Sequence, residues 1–223
     1  MPPSLRASFE PLLDFSKPFP PELQGDDWWR VANQILLAHA DQIKPETVSA
    51  CVSAANVRVR PGASRLLRCL SNLGVPVLIV SAGYSDVVEA VLETLDVDQS
   101  AYTVASNRLC FVDGKLVAVL PEMPVTGFNK RHTYARNEGW FAKHAGRKTL
   151  LLIGDRLSDL DMGKGVADGY SLVGVGIRND APDGPPGSSY PSLEAYATAF
   201  DALVLGDEGS LEPLAEALEA PAR

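Results

Sequence analysis

Two short aliphatic runs, VPVLIV at residues 75–80 and TLLLIG at 149–154, constrain the fold more than any other feature. Each is unbroken rather than alternating, and each stops at a small or acidic polar residue. Runs of this kind read as strands covered on both faces, the situation of parallel sheets flanked by helices. YSLVGVGI at 170–177 and DALVL at 201–205 repeat the pattern. Helical stretches separate them: an amphipathic segment ending at Gly74, SDVVEAVLETL after the first run, and RHTYARNEGWFAKHA before the second. Alternation of strand and helix predicts an α/β, doubly wound, Rossmann-like parallel sheet whose ligands sit beyond the C-terminal strand ends.

The remainder organises around that core. Residues 1–25 are proline-rich and aperiodic, which predicts loop or short irregular helix. DDWWRVANQILLAHA places Trp28, Val31, Ile35 and Ala38 at helical spacing with acids in the first turn, and KPETVSACVSAANV follows as a second helix. Residues 1–58 therefore read as a small helical module and 59–223 as the α/β core. Within the core, YTVASN is followed by a predicted hairpin near 109–120, turning at Asp113-Gly114. APDGPPGSSYP at 181–191 is the one loop-rich stretch.

Net charge is −8 with no long basic run, which argues against nucleic acid or an anionic membrane as a partner. Cys51, Cys69 and Cys110 are odd in number and lack metal-ligand spacing. The N-terminal residues lack the pattern of a signal peptide, and no segment reaches the ~18–20 apolar residues of a membrane span. A cytoplasmic location is the expectation.

Polar chemistry is written at the strand ends. Asp155 closes the 149–154 run and Asp159 stands four residues on, so a turn bending into a helix aims both carboxylates at one point. Hard oxygen ligands there suit Mg²⁺, which retains waters and shares them with a phosphate; alternatively Asp159 caps the helix. Ser81, with the Ala82 and Gly83 amides behind it, follows the 75–80 run and reads either as a phosphate cradle at a helix start or as an ordinary turn and cap. Lys130 supplies a cation for charge that builds on a phosphoryl group, or decorates the surface.

The order hydroxyl, lysine, then Asp-x-x-x-Asp resembles motifs two, three and four of the haloacid dehalogenase-like phosphohydrolases. VLIVSAGYSDVVEAVLE, FNKRHTYARN, LLLIGDRLSDLDMGKGV and DALVLGDEGSLEPLAEAL narrow the resemblance to the cytosolic 5′-nucleotidase III, or pyrimidine 5′-nucleotidase, family. It implies a haloacid dehalogenase-like core with a helical cap and Mg²⁺-dependent hydrolysis of nucleoside 5′-monophosphates. By the same resemblance Ser81, Ala82, Gly83 and Lys130 bind phosphate, Asp155 and Asp159 hold the metal, and Asp27 and Trp28 sit over the base.

The family's attacking aspartate and its acid/base partner belong to an Asp-x-Asp-x-Thr motif on a first, central strand. No such strand is found. DVDQS at 96–100 follows a helix, LLDFS at 12–16 has one acid, and DLDMG at 159–163 belongs to the metal element. The resemblance thus implies a core lacking its first strand and a 5′-nucleotidase impaired in this chain, or a non-catalytic nucleotide-binding or regulatory relative. Either the strands ending at Ser81 and Asp155 close up on each other, or they borrow a partner.

Overall fold

A computed structural model describes residues 2–14, 19–166, 170–180 and 191–220. The loop-rich stretch 181–190 and Ser16 lie outside them. Three α-helices open the chain: α1 (Pro3–Leu13), α2 (Asp27–Ala38) and α3 (Pro45–Ala55). α1 is a full helix where loop or irregular helix was expected. Pro3 occupies its first turn, where a missing N–H costs nothing, and Leu5 and Leu12 are buried. α2 and α3 match their expected spans, α3 ending on Asn56 in the left-handed region.

α4 (Ala63–Asn72) delivers the chain through Gly74, at φ +60°, into β1 (Val77–Tyr84), and α5 (Ser85–Leu92) follows. β2 (Tyr102–Val112) is one long strand with two partners. Residues 102–105 pair parallel with β1, while Arg108 to Val112 pair antiparallel with β3 (Lys115–Leu120). Asp113 and Gly114 both have positive φ, as a tight two-residue hairpin turn demands. The hairpin packs away from the core: Leu109, Leu116 and Val119 share a hydrophobic cluster with Leu5 of α1 and with Ile43.

The single helix expected over 131–145 is broken into α6 (Thr133–Arg136) and α7 (Glu138–Lys143). Asn137 Nδ2 donates to the Thr133 carbonyl at 2.8 Å, competing with the backbone ladder at the junction. β4 (Thr149–Gly154), β5 (Ser171–Arg178), α8 (Leu193–Ala199), β6 (Ala202–Leu205) and α9 (Glu212–Glu219) complete the fold. A 3₁₀ turn over Leu157–Gly163, not an α-helix, follows β4.

The sheet differs from the expected continuous one. Among the described residues there are two three-stranded sheets, β1-β2-β3 and β4-β5-β6. Among the described residues β1 and β4 neither pair with each other nor with a further strand between them, and a cleft of about 340 Å³ runs there, walled by Val77, Ile79, Val80, Leu150, Leu151 and Ile153. These aliphatic residues are half-buried instead of fully covered. What joins the halves is a shared helical layer: Leu66 and Leu70 of α4 with Leu211, just before α9, and Ala215 of α9 form one cluster that reaches Val77 of β1 and Ile153, Ile177 and Val204 of the other sheet.

Gly62 sets the entry to that layer. It has φ +81°, and a Cβ there would lie 2.4 Å from the Glu212 backbone nitrogen. Gly62→Ala is expected to lower stability by more than about 3 kcal/mol in urea unfolding, since strain and overpacking act together. Gly74→Ala, which has open space around it, should cost only the left-handed penalty of about 1–2 kcal/mol.

Candidate phosphate and metal site

Asp159 is the buried pivot of the site, 1% exposed. The 3₁₀ turn folds it back beneath Gly154, where an added Cβ would meet the Asp159 Cβ at 2.4 Å; only glycine leaves room. Its Oδ2 accepts from the backbone N–H groups of Asp155 at 3.0 Å and Arg156 at 3.1 Å, reaching back to the start of the turn instead of capping a helix that follows it. Its Oδ1 accepts from Lys130 Nζ at 2.5 Å. Both oxygens are thus engaged, and Asp159 acts first as an anchor for Lys130.

Lys130 is brought to that place by a locked loop after β3. Val125 N donates to Asn107 Oδ1 at 2.8 Å, Thr126 N to Asn129 Oδ1 at 3.0 Å, and Asn129 Nδ2 to the Pro124 carbonyl at 2.8 Å. Asn107 Nδ2 also donates to the Ala82 and Gly83 carbonyls, at 2.9 and 3.1 Å, so one buried amide ties the end of β1 to the lysine loop.

Lys130, Asp155, Asp159, Arg60 and Asn179 line a cavity of about 350 Å³ at the strand ends, with Val80 of β1 on its wall. The expected convergence of Lys130 with the two aspartates is present. Asp14, Asp96 and Asp98 do not line this cavity; Asp98 caps a turn by accepting from Ser100 N at 2.7 Å. Among the described residues Asp155 and Asp159 are its only carboxylates.

Ser81, Ala82 and Gly83 are placed differently from expectation. They lie inside β1, at an irregular register before Tyr84, and α5 starts only at Ser85. Ser81 Oγ accepts from Gly83 N at 3.1 Å, so the glycine amide is already engaged. Asn107 causes the difference, because its bonds to the two carbonyls hold this segment extended. Asp27 pairs with Arg30 on the surface, and Trp28 Nε1 donates to the Leu12 carbonyl at 3.1 Å, facing α1. Trp29 instead turns to the strand end: its Nε1 donates to the Ala82 carbonyl at 2.8 Å, and its ring meets Phe128 edge-on.

Arg60, Asn107 and Tyr196 were missed. Arg60 donates to the Gly206 and Gly209 carbonyls, each at 2.8 Å, and to Asn179 Oδ1 at 2.7 Å; Tyr196 Oη donates to the Asp155 carbonyl at 2.6 Å. Their role comes from contacts 18 or more residues distant in sequence, and no local pattern marks them.

Residues 24–220 match the pyrimidine 5′-nucleotidase (UMPH-1) family. The chain belongs to that family. Relatives include the 7-methylguanosine phosphate-specific 5′-nucleotidases of Gallus gallus, 26% identical over 182 residues, and of Homo sapiens, 24% identical over 182. Each alignment covers 82% of this chain but only 60% and 58% of those proteins. A crystal structure of cytosolic 5′-nucleotidase IIIB bound to cytidine matches with TM-score 0.69 and 23% identity, over 98% of this chain and 74% of that one. The likeness shows the haloacid dehalogenase-like fold expected from the motifs.

Asp155 carries the electrostatic signature of the site. Burial, then the neighbouring Asp159 charge and hydrogen bond, hold its carboxyl above the usual range, with Lys130 and Arg156 pulling the other way. The ionised form is therefore disfavoured until a cation arrives. Asp155 is thus one hard oxygen donor beside the cavity; among the described residues no cluster of three or more His, Cys, Asp or Glu side chains stands ready to hold a metal. Because a raised native pKa adds stability below the unfolded value and loses it as pH rises, ionised Asp155 costs stability at neutral pH. Asp155→Asn should raise the unfolding midpoint in metal-free buffer near neutrality, a gain that closes as pH falls toward about 4.

Lys130 and Asp159 should behave as one unit. Lys130→Met and Asp159→Asn are each expected to cost about 3–5 kcal/mol, since each leaves a partner buried and uncompensated. The double variant should fall short of the sum by about 1.5 kcal/mol or more, read from urea unfolding.

Proposed function

We propose that the chain holds the phosphate of a nucleoside 5′-monophosphate in the Lys130–Asp155–Asp159 cavity and belongs to a 5′-nucleotidase activity requiring Mg²⁺. The observation that carries this reading is the joining of Lys130 to the Asp155–Asp159 turn at one sheet edge. Asp159 takes one of the three ammonium donors, which leaves Lys130 oriented with two for phosphate oxygens. Asp155 would hold the ion, with Asp159 behind it, and bound Mg²⁺ would neutralise phosphate charge. Ser81 keeps its hydroxyl proton for a further oxygen, one residue beyond Val80.

The base-side role assigned to Asp27 and Trp28 fits Trp29 better, because its indole is anchored on Ala82 and adjoins the exposed Phe128 ring. A base can stack there. The relatives' specificity for 7-methylguanosine phosphate and the pyrimidine 5′-nucleotidase family favour those nucleotides as ligands, and one relative, from Caenorhabditis elegans, is a cytosolic 5′-nucleotidase 3 by name. A cytoplasmic location accords with that name. Among the described residues no helix is long and apolar enough to cross a membrane.

Chemistry in these 223 residues is weak on this reading. Asp159 has both oxygens engaged and Asp155 would be the metal donor, so among the described residues the cavity has no further carboxylate to attack phosphorus. Binding without turnover is the second reading, and it rests on the same cavity. With Mg²⁺ and either 7-methylguanosine 5′-monophosphate or cytidine 5′-monophosphate, calorimetry should show binding that Lys130→Ala weakens by about tenfold or more. Phosphate release should run at least about 10³-fold below the ~10 s⁻¹ typical of enzymes. Binding indifferent to Lys130→Ala and Asp155→Asn would sink the cavity assignment. Brisk Mg²⁺-dependent release would sink the impairment.

A further inference from the structure

Lys130 and Asp159 neutralise one another, so the charge that remains in their cavity is set by its other charged lining residues, Arg60 and Asp155. Arg60 is half-buried there, and its guanidinium is clamped. Nη1 donates to the Gly206 and Gly209 carbonyls, each at 2.8 Å, and Nη2 donates to Asn179 Oδ1 at 2.7 Å. All three acceptors are neutral. Among the described residues Arg60 forms no ion pair, although two carboxylates share its cavity. Arg58, two positions earlier, does pair, with Glu208 at 3.0 Å. A fixed cation bonded to neutral oxygens carries charge that no nearby side chain offsets. Nε and Nη2 lie on one edge of the guanidinium, and each keeps a hydrogen, since these bonds take both from Nη1 and one from Nη2. A planar fork of this kind grips two oxygens of one phosphate.

We propose that Arg60 is a second phosphate-contacting residue of this cavity, its Nε–H and remaining Nη2–H taking two oxygens of a phosphate monoester dianion while Lys130 takes another. The inference rests on the nucleotide reading and adds to it the source of the cavity's net positive charge. Lys130 orients the ligand, but its own charge is largely spent on Asp159 at 2.5 Å. Arg60 supplies the attraction that a dianion needs. The fork is held ready by the second sheet, because Asn179 directly follows β5 and Gly206 directly follows β6. Little side-chain freedom is left to lose when the ligand arrives. A neutral nucleoside offers no oxygens of this charge, so the contact reads the phosphate and not the base.

The test is the Nε–H nuclear magnetic resonance of Arg60 in the ¹⁵N-labelled full chain, titrated in Mg²⁺ buffer. Inorganic phosphate and cytidine 5′-monophosphate should each shift it, with the midpoint that calorimetry gives for the same ligand. Cytidine alone should leave it in place. The Arg58 resonance should not respond to any of the three, since that guanidinium is exposed and already paired. Arg60→Met should weaken both phosphate ligands by about tenfold or more, and Arg58→Met should change neither beyond about twofold. Should Arg60→Met fail to fold, the resonance of the unaltered chain decides alone. An Arg60 signal that stays put while phosphate binds, one that moves equally with cytidine, or binding untouched by Arg60→Met would overturn the assignment. If Lys130→Ala still weakened that binding, the cavity reading would survive the loss of Arg60. No phosphate binding at all would end both.

Discussion

The contact between α4 and α9 makes one molecule out of two half-sheets. The helices come from opposite ends of the core, and their shared cluster of Leu66, Leu70, Leu211 and Ala215 is dry enough that Ala215 is wholly buried. Arg65 of α4 reinforces it at the surface by pairing with Glu212 and Glu219 of α9. Apolar burial of this extent, at roughly 25 cal/mol per Å², substitutes for the strand-to-strand ladder that would ordinarily unite such a sheet. Everything at the strand ends depends on that registration, because Lys130 follows the first sheet in the chain and Asp159 follows a strand of the second.

The Lys130–Asp159 pair is the polar counterpart of the helical layer. It crosses between the halves with one partner almost fully buried, and a pair of that kind holds geometry more than it adds net stability. Three features keep it aligned: the space left by Gly154, the two backbone donors on Asp159 Oδ2, and the amide of Asn107 linking the β1 end to the lysine loop. The same arrangement leaves Asp155 desolvated beside a like charge.

Much of this was legible in the chain. The aliphatic runs located β1, β4, β5 and β6, the Asp113-Gly114 pair located the hairpin, and Asp-x-x-x-Asp after a strand located the turn that receives Lys130. What failed to show were effects of tertiary contact on local pattern. Ser-Ala-Gly reads as a turn until Asn107, more than 20 residues on, holds it extended. Helical periodicity over 131–145 does not reveal that Asn137 will take the Thr133 carbonyl. Trp28 and Trp29 are adjacent and chemically identical, and only the placement of α2 against α1 decides which one faces the strand end.

The divided sheet also explains why β1 and β4 stay apart. Neighbouring strands in a sheet twist by about 20–25°, so strands two places apart diverge by roughly 40–50°. Joining β1 directly to β4 would require closing the cleft and turning one half until the two strands lie about 20–25° apart, the usual angle between neighbours. Such a rotation would shear the α4–α9 cluster and pull Lys130 from Asp159, exchanging buried apolar contact and a buried ion pair for a few ladder bonds worth about 1 kcal/mol each. The gap persists because the contacts around it are stronger than the contact that would close it. Its half-buried valines, leucines and isoleucines follow a pattern suited to cover on both sides, which the described residues give them on one.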